Sequence, residues 1–558
     1  MKDFIKAAAH SKIADMVLKN GNIVDVFNGE IVKADLAVYK DKIVGIGDYS
    51  GAIEIDCSGK YITPAFIDSH VHIESSRVTP KVFSQILLKK GVLTAICDPH
   101  EIANVLGSDG LEFMLEDSRK AAVDLYFMLP SCVPATPCED NGAKLLAKDL
   151  ERFKHRDRVL GLGEVMDVPS VINSDPDMMD KLEMFRDKII DGHSPCISPE
   201  ILDAYVISGI KTDHECETPI EAVEKVRRGL YVMLRLGSAA RNLEKILPAV
   251  SSNNYKRFLF CTDDKDITDL EREGSVDYNV KLSVKLGLDP IKALTIASLN
   301  SAECYGLKNR GALAAGYKAD VLILDDLKDF NISKIVRNGK IVKAKPYNTL
   351  ISSFNSSMNM GKVKKEAFDI KAEKDTVNVI KTTKNSLITE RVKRKANIEN
   401  GLIESVQGDD ILKIAVFERH KNTGKYFVGF IEGFHLKDIT IAQTIAHDSH
   451  NMILIGSSCL EKAANRLIEI GGGIVLLYKG EIVEELSLPI AGIMTDQNPE
   501  IVIKKIDKMN KFINKGKEND SNVLLILGFM ALTVIPYFKI TDRGLYDFNK
   551  GTFVNLFE

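Results

Sequence analysis

The sequence predicts an α/β protein with a (β/α)8-type barrel at its centre. Between residues 61 and 307, short apolar stretches such as VLTAICD, VLGLGEVMD and FLFCTDD alternate with amphipathic stretches such as KVFSQILLKKG and PIEAVEKVRRG. Alternating β and α elements over about 240 residues favour a parallel sheet, and the most economical arrangement of that length is an eight-stranded barrel.

The segments on either side of this region have the residue pattern of short β-strands separated by turns. Residues 1–60 alternate apolar and polar side chains between the turn signals Asn20-Gly21, Asn28-Gly29 and Asp41-Lys42, and residues 308–350 return to the same pattern. We expect residues 1–60 and 308–350 to pair as one small β-sandwich-like domain. The barrel, residues 61–307, is then inserted between its two halves.

Residues 351–558 are predicted to form a C-terminal α+β domain. Its stretches ILKIAVFER and KYFVGFIEG are typical of strands, and LEKAANRLIEIGGGIVLLYKGEIV predicts a helix, a glycine turn and a hairpin. The glycine run at residues 471–473 lacks the GK[ST] ending of a phosphate loop, so we interpret it as a helix C-cap. The Lys-rich residues 350–400 are interpreted as a solvated linker or exposed strands, in preference to an RNA or anion surface.

Composition and net charge limit which binding partners and which cellular compartment are expected for the protein. The 558 residues have a formal net charge of −4, which gives no reason to expect nucleic acid or an anionic membrane as partner. Nine cysteines without a CxxC pair, and a start without an apolar signal core, predict a reducing cytoplasm. The most apolar run, residues 523–538, is shorter than the ~18 residues of a membrane span and is predicted to be a buried strand or core helix.

A metal site is indicated by two histidines at the end of the stretch YITPAFIDSHVHIESS. His70 and His72 are separated by one residue, so on a strand both side chains point the same way. Catalytic groups of (β/α)8 enzymes lie at the carboxyl ends of the strands. Neutral imidazoles there are good ligands for zinc, manganese or iron.

Other metal-binding residue types follow apolar, strand-like stretches in the same way. Six of the 11 histidines lie between residues 70 and 214, and one of these, His155, is interpreted as a solvated helix residue. The candidates at strand ends are His100, Glu164, His193, His214 and the neighbouring pair Asp263 and Asp264. Histidines used as core fillers would not recur at strand ends beside carboxylates. His100 is open to two interpretations, a metal ligand or a residue that orients a ligand or loop.

The order HxH, acidic bridge, His, His, Asp resembles the amidohydrolase superfamily. The flanking strings are more specific and resemble the adenine deaminases of bacteria and archaea, from about residue 15 to the end: FIDSHVHIESS, DPHEIANVLG, GLGEVMD, DGHSP, DHECE, LRLGSAARN, FCTDD and AHDSHN. Many relatives in the superfamily bridge two metals with a carboxylated lysine after the fourth strand. This sequence has Glu164 there, which favours adenine deaminases over hydantoinase-like or dihydroorotase-like enzymes.

The resemblance implies hydrolysis of adenine to hypoxanthine and ammonia, a purine salvage reaction. It implies one or two divalent ions, with two expected and Mn²⁺ or Fe²⁺ favoured over Zn²⁺, held by His70, His72, Glu164, His193, His214 and Asp263. A metal lowers the pKa of water from 15.7 toward about 7, and Asp263 is expected to pass the proton of that water toward the leaving amine. Asp264 is the alternative. Because adjacent strand residues face opposite ways, only one of these two aspartates is expected to enter the site.

Several roles stay open at this point. Glu215 is a candidate either for proton donation to purine N1 or for orienting a metal ligand. The purine pocket has candidates in loops, each of which could equally stabilise its own loop: Glu74, Ser75, Ser76, Asp98, Ser238 and Arg241. His447 and His450 in AHDSHN are expected to close the barrel mouth, to form a separate site or to belong to a structured turn.

Three rival hypotheses remain. The chain is another cyclic-amide hydrolase or aminohydrolase, such as a hydantoinase-like or guanine deaminase-like enzyme. Alternatively, it is a metal-free scaffold relative, or residues 400–558 act as an independent binding module. Barrel hydrolases of this kind often associate, so a homo-oligomer is compatible with the sequence, although no residue requires one.

Overall fold

The structure, a computed structural model of the chain, describes residues 1–345, 357–383, 387–515 and 522–557. It is a mixed α/β fold with an N-terminal β sheet, a central region of parallel strands and helices, and a C-terminal β-rich unit. The domain boundary predicted at residues 350/351 lies outside the described residues, as does part of the Lys-rich stretch. No helix in the described ranges combines the length and apolar character needed to cross a membrane.

The chain begins with one helix and a set of strands. Their bounds are α1 Lys2–Ala8, β1 Ala14–Asp25, β2 Glu30–Tyr39, β3 Lys42–Gly47, β4 Gly51–Asp56 and β5 Tyr61–Pro64. β1 pairs with β2 along one edge, and along its other edge with β4 and then with β5. Asn20, with φ of +60°, lies at the irregularity in β1 where the partner changes.

The central region alternates strands and helices as predicted. The strands are β6 Phe66–Val71, β7 Val92–Cys97, β8 Asp124–Leu129, β9 Val159–Val165, β10 Ile189–Gly192, β11 Thr212–Asp213, β12 Tyr231–Arg235 and β13 Phe258–Cys261. The helices are α2 Pro80–Lys89, α3 His100–Leu106, α4 Ser108–Ser118, α5 Ala147–Lys154, α6 Val168–Ile172, α7 Pro176–Met184, α8 Pro199–Ile207, α9 Pro219–Arg227, α10 Leu243–Ile246, α11 Ile267–Arg272, α12 Val276–Lys285, α13 Pro290–Ile296 and α14 Leu299–Cys304.

Helix starts in this region follow local capping chemistry. Asp175, Ser198, Thr218 and Asp289 precede α7, α8, α9 and α13, and each side chain accepts a hydrogen bond from a backbone N–H of the first turn. Each of these helices also has proline in its first turn, where the missing N–H costs nothing. The strand-to-helix loops, which carry the polar candidates, are therefore set by short local signals.

The parallel strands form two sheets, β6 to β10 in sequential order and β11 to β13. β6 and β7 are buried along their whole length, as expected of parallel strands covered on both faces. The sheets are linked at both edges. Asp263 N–H donates to the carbonyl of His70 at 2.9 Å, and Lys211 N–H donates to the carbonyl of Ile190 at 2.9 Å.

Strands that follow the central region return to the N-terminal sheet. They are β14 Val321–Leu324, β15 Ile332–Arg337 and β16 Lys340–Val342. β14 pairs antiparallel with β5, so the sheet order is β16-β15-β14-β5-β1-β2-β3, with β4 beside β1. Leu18, Ile62, Val321 and Ile323 share one buried core. Strands from both sides of the central region thus build one sheet.

The C-terminal unit contains the remaining elements. Its strands are β17 Thr376–Thr382, β18 Thr389–Lys395, β19 Asn397–Glu399, β20 Leu402–Glu404, β21 Leu412–Phe417, β22 Tyr426–Glu432, β23 Ile439–Gln443, β24 Met452–Gly456, β25 Gly473–Tyr478, β26 Glu481–Ser487, β27 Phe538–Thr541, β28 Gly544–Asp547 and β29 Thr552–Val554. Its helices are α15 Leu460–Glu469, α16 Pro499–Ile513 and α17 Val523–Gly528. The large sheet has the order β18-β17-β22-β21-β24-β23-β25-β26.

Two local predictions for this unit can be compared directly with the structure. The glycine run after α15 has positive φ at all three residues, Gly471, Gly472 and Gly473, which is the backbone of a turn and not of a phosphate loop followed by a helix. The apolar run at residues 523–538 begins with the short buried helix α17. The first is the predicted helix C-cap and hairpin, and the second is the predicted core helix.

Gly161 tests how tightly the parallel strands pack. A Cβ at this position in β9 would lie 1.8 Å from the carbonyl oxygen of Ile189 in β10, so the strands would have to separate. We expect Gly161→Ala to destabilise the protein by about 1–3 kcal/mol, the usual cost of overpacking. Gly361→Ala is the matched control, since nothing lies within 4 Å of its Cβ position. Equal melting temperatures for the two variants would contradict the predicted packing.

Candidate metal centre

The two histidines of the HxH motif lie side by side at the end of β6. Both are buried, and their Nε2 atoms are 3.1 Å apart. His72 Nδ1 lies 3.0 Å from the carbonyl oxygen of Asp98, and a carbonyl can only accept, so Nδ1 donates. This hydrogen bond leaves the lone pair of His72 on Nε2, which is the tautomer that a metal ligand requires.

Glu164, at the end of β9, occupies the middle of the cluster. Its Oε1 lies 3.3 Å from His72 Nε2 and 3.8 Å from His70 Nε2. Its Oε2 lies 2.8 Å from His193 Nδ1 and 3.2 Å from His214 Nε2. Each carboxylate oxygen therefore faces at least two imidazoles, an arrangement suited to a carboxylate shared by two ions.

Asp263 closes the cluster on the side of the HxH pair. Its Oδ1 lies 3.0 Å from His72 Nε2 and 3.5 Å from His70 Nε2. The expectation that only one of Asp263 and Asp264 enters the site is wrong, because ligand atoms of His72, Asp263 and Asp264 all lie within 4.8 Å of one another. Asp263 has φ of +55°, a left-handed conformation in which the alternation of strand side chains no longer holds.

The histidines determine the charge of the central carboxylate. Burial alone would raise the pKa of Glu164, but hydrogen bonds from His100, His193, His214 and His72 outweigh it and hold that pKa well below its usual range. The same two effects act on His214 with opposite sign. Burial lowers its pKa, but Glu164 outweighs burial and raises the pKa to about 9. Without a cation, the ionised carboxylate of Glu164 is therefore paired with the protonated imidazole of His214.

Arg235, at the end of β12, is a residue that sequence reasoning missed. Its Nη1 lies 3.0 Å from Asp263 Oδ2, and its guanidinium forms a two-pronged ion pair with Glu215. Burial opposes the ionisation of Glu215, but Arg235 and the neighbouring histidines outweigh it and lower its pKa. The sequence signal that could have indicated Arg235 is a single charged residue at the end of the apolar, strand-like stretch YVMLRLGS.

A buried ion pair holds the loops that carry His193 and His214. Lys225 Nζ, on α9, lies 2.7 Å from Asp213 Oδ1 and 2.8 Å from the carbonyl oxygen of Ser194. Asp213 Oδ2 accepts from Ser194 N–H at 2.9 Å. Ser194 follows His193 and Asp213 precedes His214 in the sequence, so the pair of Lys225 with Asp213 fixes both loops at once. A lysine on a helix gives no sequence signal for this role.

Three pocket candidates from the sequence lie around the cluster. His100 Nδ1 is 3.3 Å from Glu164 Oε1, and Asp98 Oδ2 accepts from the Glu164 backbone N–H at 2.9 Å. Glu74 is buried, and its Oε1 accepts from Ile102 N–H at 3.2 Å. Burial raises the pKa of Glu74 to about 7.

Three of the four serine and arginine candidates have partners outside the ligand cluster. Ser238 Oγ donates to Asp269, and Arg241 forms an ion pair with Glu273 at 3.0 Å. Both thus tie their loop to α11 and the turn after it. Ser75 Oγ donates to Asp264, and Ser76 Oγ donates to the carbonyl of Ile73 within the same turn. Of these four, Ser75 contacts a residue of the cluster.

The C-terminal unit reaches the same end of the parallel strands. His447 Nδ1 lies 2.6 Å from Glu101 Oε1, and His450 Nε2 contacts Glu101 Oε2. His100 Nε2 lies 3.7 Å from Asp448 Oδ1. The segment AHDSHN therefore contacts the loop and helix that carry His100, a proximity that the linear sequence did not specify.

Two family models match the chain. The amidohydrolase family model matches residues 61–342, and the adenine deaminase C-terminal domain model matches residues 386–552. The adenine deaminase of Clostridium acetobutylicum is 42% identical over 560 residues, covering 98% of each chain. The chain belongs to the adenine deaminase family. Another family member, from Bacillus licheniformis, is 44% identical over 97% of this chain and 96% of its own.

The family assignment confirms the resemblance that the motifs indicated. The match to the adenine deaminases runs from the N-terminal sheet through the C-terminal unit, as the order of the motifs predicts. Among solved structures, the β-aspartyl dipeptidase of Fervidobacterium islandicum is similar with a TM-score of 0.45 and 18% identity, covering 59% of this chain and 97% of that chain. That similarity is too low to add to the assignment.

Removing Lys225 tests the support of the two histidine loops. Lys225→Ala leaves Asp213 buried without its cation, which we expect to cost about 3–5 kcal/mol of stability. Lys245→Ala is the control, because its pair with Glu217 is exposed and worth at most about 1 kcal/mol. Thermal denaturation of both variants measures the difference. A Lys225→Ala protein as stable as Lys245→Ala would show that Asp213 needs no partner.

Proposed function

We propose that the protein is an adenine deaminase that converts adenine and water to hypoxanthine and ammonia. The observation that carries the proposal is the buried cluster around Glu164, in a chain similar over its whole length to proteins named adenine deaminase. Deamination replaces the 6-amino group by oxygen, so it needs an activated water and a group that moves its proton to the leaving amine.

We propose a divalent metal centre with one carboxylate shared between two ions. Glu164 would be the shared ligand, and His70, His72, Asp263, His193 and His214 would supply the other donor atoms. The donor set fits, because imidazole nitrogens and carboxylate oxygens together accept Mn²⁺, Fe²⁺ or Zn²⁺. We favour two Mn²⁺ ions. When bound, such ions lower the pKa of water from 15.7 toward about 7.

The residues around the cluster then have distinct roles. Asp263 accepts the proton of the attacking water and transfers it toward the departing amine, while Arg235 holds its other oxygen at 3.0 Å. Glu215, paired with Arg235, has a lowered pKa and is therefore a poor proton donor to N1, and its Oε1 lies 3.4 Å from His214 Nε2 at the cluster itself. Asp264, with a carboxylate oxygen within 4.8 Å of ligand atoms of His72 and Asp263, is the candidate for contact with the substrate edge.

We further propose that β6 to β13 close into one eight-stranded barrel, because hydrogen bonds link the two parallel sheets at both edges. Residues 1–60 and 308–350 form the flanking β domain, residues 61–307 the barrel and residues 351–558 the C-terminal domain. The proposed compartment is the cytoplasm.

Adenine deamination by the Mn²⁺-supplemented protein is the direct test. We expect release of ammonia and hypoxanthine, and a loss of about 100-fold or more in kcat/KM for His72→Ala, since a ligand and its lone pair are removed. His155→Ala is the matched control, because His155 is exposed. Activity on guanine or hydantoin without activity on adenine would favour the rival hydrolases. Purified protein without bound transition metal would favour the scaffold hypothesis.

Metal uptake should release protons. In the metal-free protein the pKa of His214 is about 9, so its imidazole carries a proton at pH 7 that must leave before the nitrogen can bind a cation. We expect the affinity for Mn²⁺ to rise as pH rises from 6 toward 9, by up to about tenfold per pH unit for each proton displaced. Calorimetric titrations in buffers of different ionisation enthalpy measure the protons. An affinity independent of pH would contradict the expectation.

A further inference from the structure

Glu101, His447 and His450 form a buried cluster that the proposed metal centre does not use. We call it the Glu101 clamp. Glu101 is in the first turn of α3, and the two histidines lie in the segment between β23 and β24. All three side chains are buried, and each carboxylate oxygen of Glu101 contacts one of these two imidazoles. The clamp joins the central region to the C-terminal unit.

The two imidazoles of the clamp differ in their second nitrogen. His450 Nδ1 accepts from the backbone N–H of Ala446 at 3.3 Å, so both of its nitrogens have partners. His447 Nδ1 contacts Glu101, while its buried Nε2 has no hydrogen-bond partner among the described residues. A buried polar atom without a partner is destabilising, and a ligand that supplies the partner recovers this free energy.

His447 is held as a donor. Its ring stacks on Phe529 with centroids 4.3 Å apart and planes 15° apart, which fixes its orientation. Burial alone would lower the pKa of His447, but the charge of Glu101 and its hydrogen bond raise the pKa to about 9, with smaller contributions from Asp264 and Asp448. At neutral pH, Nδ1–H therefore donates to Glu101, and Nε2–H is left to donate elsewhere.

The clamp is linked to the metal centre through His100. The rings of His72 and His100 have centroids 4.5 Å apart, and His100 Nε2 lies 3.5 Å from Glu101 Oε1. Asp264 belongs to the ligand cluster and its charge also raises the pKa of His447. In a purine with C6 at the cluster, N7 lies on the same edge as the 6-amino group and N3 lies on the opposite side of the six-membered ring, and both accept hydrogen bonds.

We propose that His447 is a substrate-binding residue whose Nε2–H donates to a ring nitrogen of the purine, and that Glu101 is the positioning residue that holds it. The inference rests on the proposed function, since it assumes a purine at the metal centre. The C-terminal unit then contributes directly to recognition of the substrate. His450 completes the clamp without contacting the purine.

Atom replacement in the ligand tests this contact. Purine, which has no 6-amino group to lose, is compared with 3-deazapurine and 7-deazapurine as competitive inhibitors of the Mn²⁺-loaded enzyme. We expect the wild type to bind one of the two deaza compounds about tenfold or more weakly than purine, the value of one lost hydrogen bond to a charged donor. In His447→Ala this difference should disappear for that compound and remain unchanged for the other.

Two further variants separate binding from folding. His450→Ala loses a contact to the same carboxylate but no free donor, so it should keep the wild-type difference between purine and the deaza compound. His447→Gln places an amide nitrogen near the former Nε2 and should restore part of the difference, and it remains informative if His447→Ala does not fold. The ratio of metal ions to protein chains should be the same in all variants.

Three outcomes would overturn the proposal. The wild type could bind all three compounds equally, or His447→Ala could keep the wild-type difference. Thirdly, His447→Ala could lose one metal ion per chain relative to the wild type, which would assign the clamp to an additional metal site. A metal-loaded wild type that does not deaminate adenine would instead overturn the proposed function, so the two failures are distinguishable.

Discussion

The buried carboxylate of Glu164 is the constraint on which the site depends. A carboxylate removed from water is stable only if opposite charge and hydrogen bonds replace its hydration. Four imidazoles supply them here, and each imidazole comes from a different strand end or loop: His72, His100, His193 and His214. The position of Glu164 therefore determines how several separate loops must converge.

The outer layer of the site consists of cations that hold these loops. Lys225 neutralises Asp213 beside His214, and Arg235 neutralises Glu215 and the outer oxygen of Asp263. Each cation is buried, so its removal would leave a carboxylate without a partner near the ligand cluster. Stability and the geometry of the ligands are thus coupled through the same ion pairs.

The sequence predicted the elements whose signals are local. Period-two spacing aligned His70 with His72, and apolar stretches ending in His or Glu indicated the strand ends. The prediction failed at Asp263, where a left-handed backbone lets both aspartates approach His72. Arg235, Lys225 and Glu101 were missed because their partners are brought together by tertiary contacts, which residue spacing along the chain does not encode.

The contacts of the C-terminal unit argue against an independent binding module. Asp140, in a loop of the central region, forms ion pairs with Lys425 at 2.6 Å and with Arg543 at 2.5 Å. These pairs are partly exposed and contribute little stability, but Glu101 is fully buried between two histidines of the other unit. Among the described residues, Glu101 contacts the imidazoles of His100, His447 and His450. The last two belong to the C-terminal unit, so the buried carboxylate has these partners only while the two units are docked. The candidate site therefore lies where the two units are in contact.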